Sequence, residues 1–391
     1  MVSSTVSGNP TASKFKSKRQ EKLALKNAKS KGSFVNQTAF RTCERIYRTR
    51  LPPPDLSNAI DLINLENNTQ ENLDRLVKVE LKHDLAQLSP FFGESKGEKA
   101  KVCYTLKDFP GVVLIPKAFS EDAQRNIIKS CLRDHSKHPN LSNLDTHYEV
   151  PDEGIWKLHE KVFKGELSPQ DPSCIVPLKD KTNTEDGVGV YEDSPKETNL
   201  VLLPPSQLIR RLRWITCGYQ YDWLEKKYAV DKRFPFPEDI KDIATSVAKA
   251  IEGVGYIGPD GSGYVNQYSG DEFKAEAGII NYYQLKDSLM AHVDKSEINM
   301  DAPLISFSLG QSCIYLLGGL TRDVPPVAIY LRSGDMMAMC GPCRAAFHGV
   351  PRILEDTLPD HLKPNPEDPD WDIYADFVSE ARINVNIRQV F

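Results

Sequence analysis

From Gly278 onward the sequence breaks into seven short apolar runs, at residues 278–284, 303–309, 312–317, 326–332, 335–340, 346–350 and 382–391, each bounded by turn-forming residues. Runs of this length, rich in Val, Ile, Leu and aromatics, predict strands rather than helices. Seven of them so closely spaced predict an antiparallel sandwich or barrel, with Ser333-Gly-Asp335 as a hairpin turn. Along the last run, Arg382-Ile-Asn-Val-Asn-Ile-Arg388, polar and apolar residues alternate with period two. Arg382, Asn384, Asn386 and Arg388 therefore share one face, and Ile383, Val385 and Ile387 the other. Arginines facing the interior are costly unless an anion meets them. Six residues span ~20 Å on a flat strand, less at the guanidinium tips once the strand twists, which suits a dicarboxylate held at both ends. An edge strand whose arginines face water is the other reading.

The remainder of the 391 residues is less regular. Helical spacing marks Ala39–Tyr47, about Thr69 to Leu85, Pro204–Arg213, Pro237–Glu252 and Asp370–Ala381, and Ser120 caps a helix reaching about His135. Val112–Ile115 predicts a buried strand. Residues 140–200 are polar and Pro/Asp-rich and predict a surface excursion, while Gly253–Gly270 predicts a mobile loop. The chain divides into a basic arm (1–36), an N-terminal extension with helices, a first core strand and a polar loop (37–200), and a catalytic half (201–391). Hydrophobic residues make up 40% and charged residues 26%, with no run of 18 apolar residues, so no membrane span is expected. Residues 1–50 carry twelve Lys/Arg against Glu21 and Glu44, a balance of +10 that leaves −15 on the rest. Such an arm suits phosphate backbones, organelle import or simple solubility. Eight cysteines without a secretory signal favour a reducing compartment.

Leu289-Met-Ala-His-Val-Asp-Lys-Ser-Glu297 carries the chemistry. Residues two apart on a strand point the same way, so His292 and Asp294 can ligate one ion. A facial triad of two histidines and a carboxylate needs one more imidazole. His348, on the 346–350 run, suits that role better than His361, which lies in a Pro/Asp-rich loop. By itself an HxD pair is common and more often marks a satisfied histidine beside a surface acid.

Taken together, HxD at 292 and 294, a histidine 54 residues past the aspartate and RxNxNxR at the terminus resemble the AlkB family of Fe(II)/2-oxoglutarate dioxygenases. Ile280-Asn-Tyr-Tyr283, His292-Val-Asp-Lys-Ser-Glu297, Ile314–Gly319 and the closing Arg382–Val390 resemble its homologue-one branch, with similarity running from about Ala39 to Phe391. The resemblance implies an α+β fold with a double-stranded β-helix (jelly roll) core and flanking helices. It implies Fe(II) on His292, Asp294 and His348, with O2 and 2-oxoglutarate as co-substrates. Asn281, Tyr283, Arg382, Asn384 and Arg388 would hold the 2-oxoglutarate. Asn386 stands where the family usually has threonine, and Ser296 stands where the bacterial member has a second acid, so the bacterial base preference does not carry over. Trp214, Tyr221 and Tyr228 fall in the stretch, about 214–235, that resembles the nucleotide-recognition lid, where aromatic faces stack bases. Without the resemblance they read first as ordinary core residues. Basic residues between Arg210 and Arg233 suit phosphates or a solvated helix face. The implied activity is oxidation or demethylation of methylated nucleobases, in tRNA and with methyladenine in DNA as a further target. The expected protein is monomeric, off the membrane, in mitochondrion, nucleus or cytoplasm.

Three other functions compete: a protein hydroxylase or demethylase of the same chemistry, a jelly-roll binding module without turnover, and a thiol oxidoreductase. The last rests on Cys340-Gly-Pro-Cys343, the dithiol spacing of thioredoxins, here without the βαβ unit that should follow it.

Overall fold

Alternation along the last strand organises the molecule: Ile383, Val385 and Ile387 are fully buried in one apolar core, whereas Arg382, Asn384 and Arg388 line a cavity on the opposite side. The computed structural model describes residues 38–92, 102–179, 202–222, 225 and 227–391. The basic arm, the polar stretch 180–201 and Trp223 lie outside the described residues.

Strand Ala381–Arg388 sits inside the larger sheet, antiparallel to Leu304–Gly310 on one side and Ala277–Gln284 on the other. That sheet continues through Met336–Met339, Phe109–Ile115, Val102–Leu106 and Leu76–Glu80 on one flank. On the other flank lie Trp214–Asp222 and Leu141–Ser142, with Lys227–Arg233 folded back on Trp214–Asp222. The smaller sheet runs Ile60–Asp61, Val327–Leu331, Cys313–Leu317, His348–Ile353 and Leu289–His292. Side chains from the two sheets, such as Tyr283, Leu304 and Met339 against Tyr315, Leu317 and Val350, enclose one core. Helices Glu121–Lys129, Gly154–Phe163, Glu238–Ala250 and Asp372–Ser379 cover the outer face of the larger sheet. Ile127, Trp156, Val247 and Phe377 pack there with Ile305, Phe307, Ile383 and Val385. The predicted α+β jelly roll with flanking helices is the observed architecture, and strands from residues 60–115 extend both sheets.

Every one of the seven predicted strands is present, within three residues at each end. Four other expectations are corrected. The helix expected over about 69–85 is helical only at Gln70–Arg75, after which Leu76–Glu80 is a strand paired with Val102–Leu106. The polar stretch after 140 contains helix Gly154–Phe163, whose Trp156 is fully buried and stacked on Tyr374 at 4.9 Å. Ile155 and Leu158 are buried in the same core, so three apolar side chains anchor this helix within a polar stretch. Pro204–Arg213 forms a single α-turn, Pro205–Leu208, running into 3-10 turn Ile209–Arg211. Finally, Gly253–Gly270 holds a two-stranded hairpin, Gly255–Ile257 with Gly263–Val265. Its Tyr264 packs against the Gly341 backbone, where an added Cβ would lie 2.3 Å from the ring. No described helix is long and apolar enough to cross a membrane.

Candidate active site

The cavity between the sheets has a volume of about 260 Å³. His348 opens its strand and pairs in register with His292 at the end of Leu289–His292, bringing the two rings to 4.3 Å between centroids. Asp294 follows just past that strand, with Oδ1 3.9 Å from His292 Nε2 and Oδ2 3.7 Å from His348 Nε2. One ligand atom from each of the three lies within 4.8 Å of the others. Both imidazoles point Nδ1 at a carbonyl two residues upstream, His292 at Met290 (2.9 Å) and His348 at Ala346 (3.1 Å). A carbonyl only accepts, so each Nδ1 carries the proton and each Nε2 keeps its lone pair for a ligand role.

Electrostatics agree with that role. Burial, then His292, pushes the His348 imidazole down to about 4, so it is neutral near pH 7. Burial alone would raise Asp294, but Arg388, His348 and His292 outweigh it and hold the carboxyl well below its ordinary range. Two imidazole nitrogens and one carboxylate on adjoining backbone are the donor set that Fe(II) oxygenases use.

The anion pocket is built on the register of three strands. Asn281 lies opposite Asn384, Tyr283 opposite Arg382, and Ser308 opposite Asn384 from the other side. Arg382 is 1% exposed. Its Nη2 donates to Ser308 Oγ at 2.8 Å, yet Nε and Nη1 have no partner among the described residues. A buried guanidinium with idle donors on a cavity wall fits a carboxylate ligand. Arg388 differs, since its Nη2 donates to Asp294 Oδ2 at 2.9 Å and its Nε lies 3.0 Å from Glu297 Oε1. Asn384 donates to Ser306 Oγ and the Phe307 carbonyl and accepts from Asn386 Nδ2 at 2.8 Å, so Asn386 braces this face.

Tyr221 and Tyr228 stand in the cavity wall, ring centroids 5.3 Å apart and tilted by 70°. Tyr221 OH lies 3.0 Å from Ser296 Oγ, and Tyr228 OH donates to Glu297. Trp214 pairs with Asn281 one strand further out, half-buried, and is not part of that wall. Of the basic residues nearby, Arg210 is tied to Asp376 and the Phe377 carbonyl, and Arg213 faces Asp287 at 3.3 Å. Arg233 covers the Tyr219 ring at 4.9 Å.

Sequence reasoning passed over Glu297 and Arg344. Glu297 is buried, 3.0 Å from Arg388 and 2.9 Å from Arg344, while Arg344 Nη1 donates to the Asp294 carbonyl at 2.8 Å. The available signal was an acid three residues past Asp294, one position beyond the Ser296 that follows HxDK. Cys340 caps, and Cys343 lies within, the 3-10 turn Gly341–Ala345 that carries Arg344. Both are buried, and burial pushes the Cys340 thiol up to about 12. Gly111 lies so close beneath that its Cβ would sit 2.1 Å from the Cys340 carbonyl. A protonated, enclosed thiol is a poor nucleophile. Cys340→Ser is therefore expected to keep turnover within about twofold while lowering stability by roughly 1–3 kcal/mol, the cost of burying a hydroxyl. Paired urea melts and succinate assays check this.

Comparison with known proteins adds to this geometry. Residues 111–388 match the family model described as the 2OG-Fe(II) oxygenase superfamily. The mouse protein named "Nucleic acid dioxygenase ALKBH1" is 33% identical over 378 residues, covering 90% of this chain and 84% of its own. The chain belongs to the AlkB family of 2OG-Fe(II) oxygenases. Its relatives include the "tRNA demethylase abh1" of Schizosaccharomyces pombe, 30% identical over 92% of this chain and 98% of its own. Another is the "DNA N(6)-methyladenine demethylase ALKBH1A" of Arabidopsis thaliana, 31% identical over 91% and 97%. As an AlkB-family oxygenase this chain is an oxidoreductase that uses Fe(II), 2-oxoglutarate and O2.

Proposed function

We propose that the chain oxidises methyl groups on nucleobases, tRNA being the first substrate class and methyladenine in DNA the second. His292, Asp294 and His348 hold the iron. Arg382 grips one carboxylate of 2-oxoglutarate, with Asn281 and Tyr283 beside it, Asn384 shaping the floor and Arg388 anchoring Asp294 at the metal end. Bound there, iron and 2-oxoglutarate would supply oxidative chemistry with O2, one oxygen atom entering succinate as CO2 is lost and the other entering a substrate C–H bond. A hydroxymethyl on nitrogen then leaves as formaldehyde or is kept as an oxidised base.

The observation that carries the nucleobase reading is the placing of Tyr221 and Tyr228 in the wall of the cavity that holds the His/Asp/His cluster. Aromatic faces accept a base lifted out of its stack, at ~1–3 kcal/mol per base. The +10 balance of residues 1–50 supports a polyanionic partner, and with it a compartment that holds nucleic acid, mitochondrion or nucleus. The names of the three relatives support the same substrate class.

The test is mass spectrometry of nucleosides from a total tRNA pool incubated with enzyme, Fe(II), ascorbate and 2-oxoglutarate, beside a His292→Ala control. A methylated nucleoside should fall, or an oxidised one rise, only with the wild-type enzyme. No such change would move the substrate to methylated protein side chains. For the co-substrate, Arg382→Met is expected to weaken 2-oxoglutarate binding about 10²-fold, roughly 3 kcal/mol. Stability of the ligand-free fold should hold or rise, because a buried charge with idle donors has been removed. Calorimetric titration and urea unfolding read the two effects separately.

A further inference from the structure

The Leu289–His292 strand is the edge of the smaller sheet, so the backbone groups of its outward side lack a neighbouring strand. Two side chains from elsewhere stand in for one. Glu44, in the N-terminal helix Ala39–Arg48, accepts the Ala291 N–H at 2.6 Å through Oε1, and its Oε2 takes Arg41 Nη1 at 2.9 Å. Arg322 Nη2 donates to the Ala291 carbonyl at 2.9 Å, and its guanidinium lies 4.9 Å over Phe347, the residue before His348. The helix is pinned by Phe40, which is fully buried, and Glu44 is 2% exposed.

The Ala291 N–H and the Met290 carbonyl belong to one peptide unit. That carbonyl is the acceptor that orients His292 through Nδ1. A continuous chain of hydrogen bonds therefore runs from the Glu44 carboxylate through a peptide plane to the imidazole, leaving Nε2 aimed at Asp294 and His348. Carboxylates that bond directly to a ligand histidine fix its ring and strengthen it as a donor. Here an amide is interposed, and polarisation passes through it.

We propose that Glu44, outside the segment matched by the family model, is a positioning residue for the metal centre, acting through the Met290–Ala291 peptide on His292, with Arg322 holding the next peptide. This rests on the assignment of His292, Asp294 and His348 as metal ligands. The N-terminal helix is thus part of the metal site, and iron affinity depends on its docking.

The test is metal affinity of the full chain, measured with Co(II) by its d–d absorption and with Mn(II) by electron paramagnetic resonance. Glu44→Ala is expected to lower both affinities 10–100-fold, the range found when such outer partners are removed. Glu44→Gln keeps an acceptor for Ala291 N–H and should lose much less. Arg41→Ala, which leaves the Ala291 contact intact, should stay near wild type. If Glu44→Ala does not give a native circular-dichroism spectrum, Glu44→Gln together with Arg322→Ala carries the test. A shifted Co(II) band and weaker binding in these variants support the role. Unchanged affinity and an unchanged band in every folded variant overturn it, leaving Glu44 a stability residue. His348→Ala separates the underlying assignment: if it binds Co(II) as tightly as wild type, the ligand set is wrong whatever Glu44 does.

Discussion

A His348→Ala variant is expected to fold with the wild-type circular-dichroism spectrum and to lose succinate production by at least ~10³-fold, about 4 kcal/mol of barrier. Folding should survive because the carboxylate left behind is already held. Asp294 takes a 2.9 Å hydrogen bond from Arg388, so the site without His348 contains no stranded charge. Among the described residues, the Ala346 carbonyl loses one hydrogen bond and Asp294 a 3.7 Å contact. Catalysis should not survive, since two ligands cannot define the open face at which co-substrate and oxygen bind. Turnover within tenfold of wild type, at saturating Fe(II), would place the metal elsewhere.

Glu297→Ala is expected to do the opposite kind of damage. Its carboxylate lies between the guanidiniums of Arg344 and Arg388, all three essentially out of water. Removing it leaves two buried cations sharing what Asp294 offers, and breaking a buried pair in this way costs roughly 3–5 kcal/mol. Urea unfolding should show the loss in ligand-free protein, before any metal is added. Replacing Glu297 and Arg344 together, as Glu297→Gln with Arg344→Met, should recover part of it, because one of the stranded charges goes as well. If the single variant unfolds within 1 kcal/mol of wild type, the network is not a structural element.

These two predictions fall on different sides of what could be read from the chain. His348 was legible: a histidine on a short apolar run, at a distance from HxD that lets a second strand return to the first. The same local rule exposed the seven strands and the two faces of Arg382–Arg388, because period-two patterning needs no knowledge of partners. Arg344 was not legible, since nothing in Arg344-Ala-Ala-Phe-His348 tells which acid waits for it. Glu44 lies 247 residues from the peptide it holds, and only the folded chain brings them together. Trp156 shows the reverse error, a large apolar side chain that with Ile155 and Leu158 anchors a helix where average composition suggested a surface excursion. Local pattern reveals which face of an element is polar. Which distant residue meets that face is decided by topology.

The position of strand Ala381–Arg388 has a consequence for synthesis. It joins Ala277–Gln284 on one side to Leu304–Gly310 on the other, yet emerges from the ribosome after both. About seventy residues separate Gly310 from Ala381, so at ~5–20 residues per second the nascent chain presents two open strand edges for ~4–14 s. A chain interrupted between Gly310 and Ala381 would keep those edges permanently and lack both pocket arginines. Such truncations should yield aggregates rather than weakened enzymes.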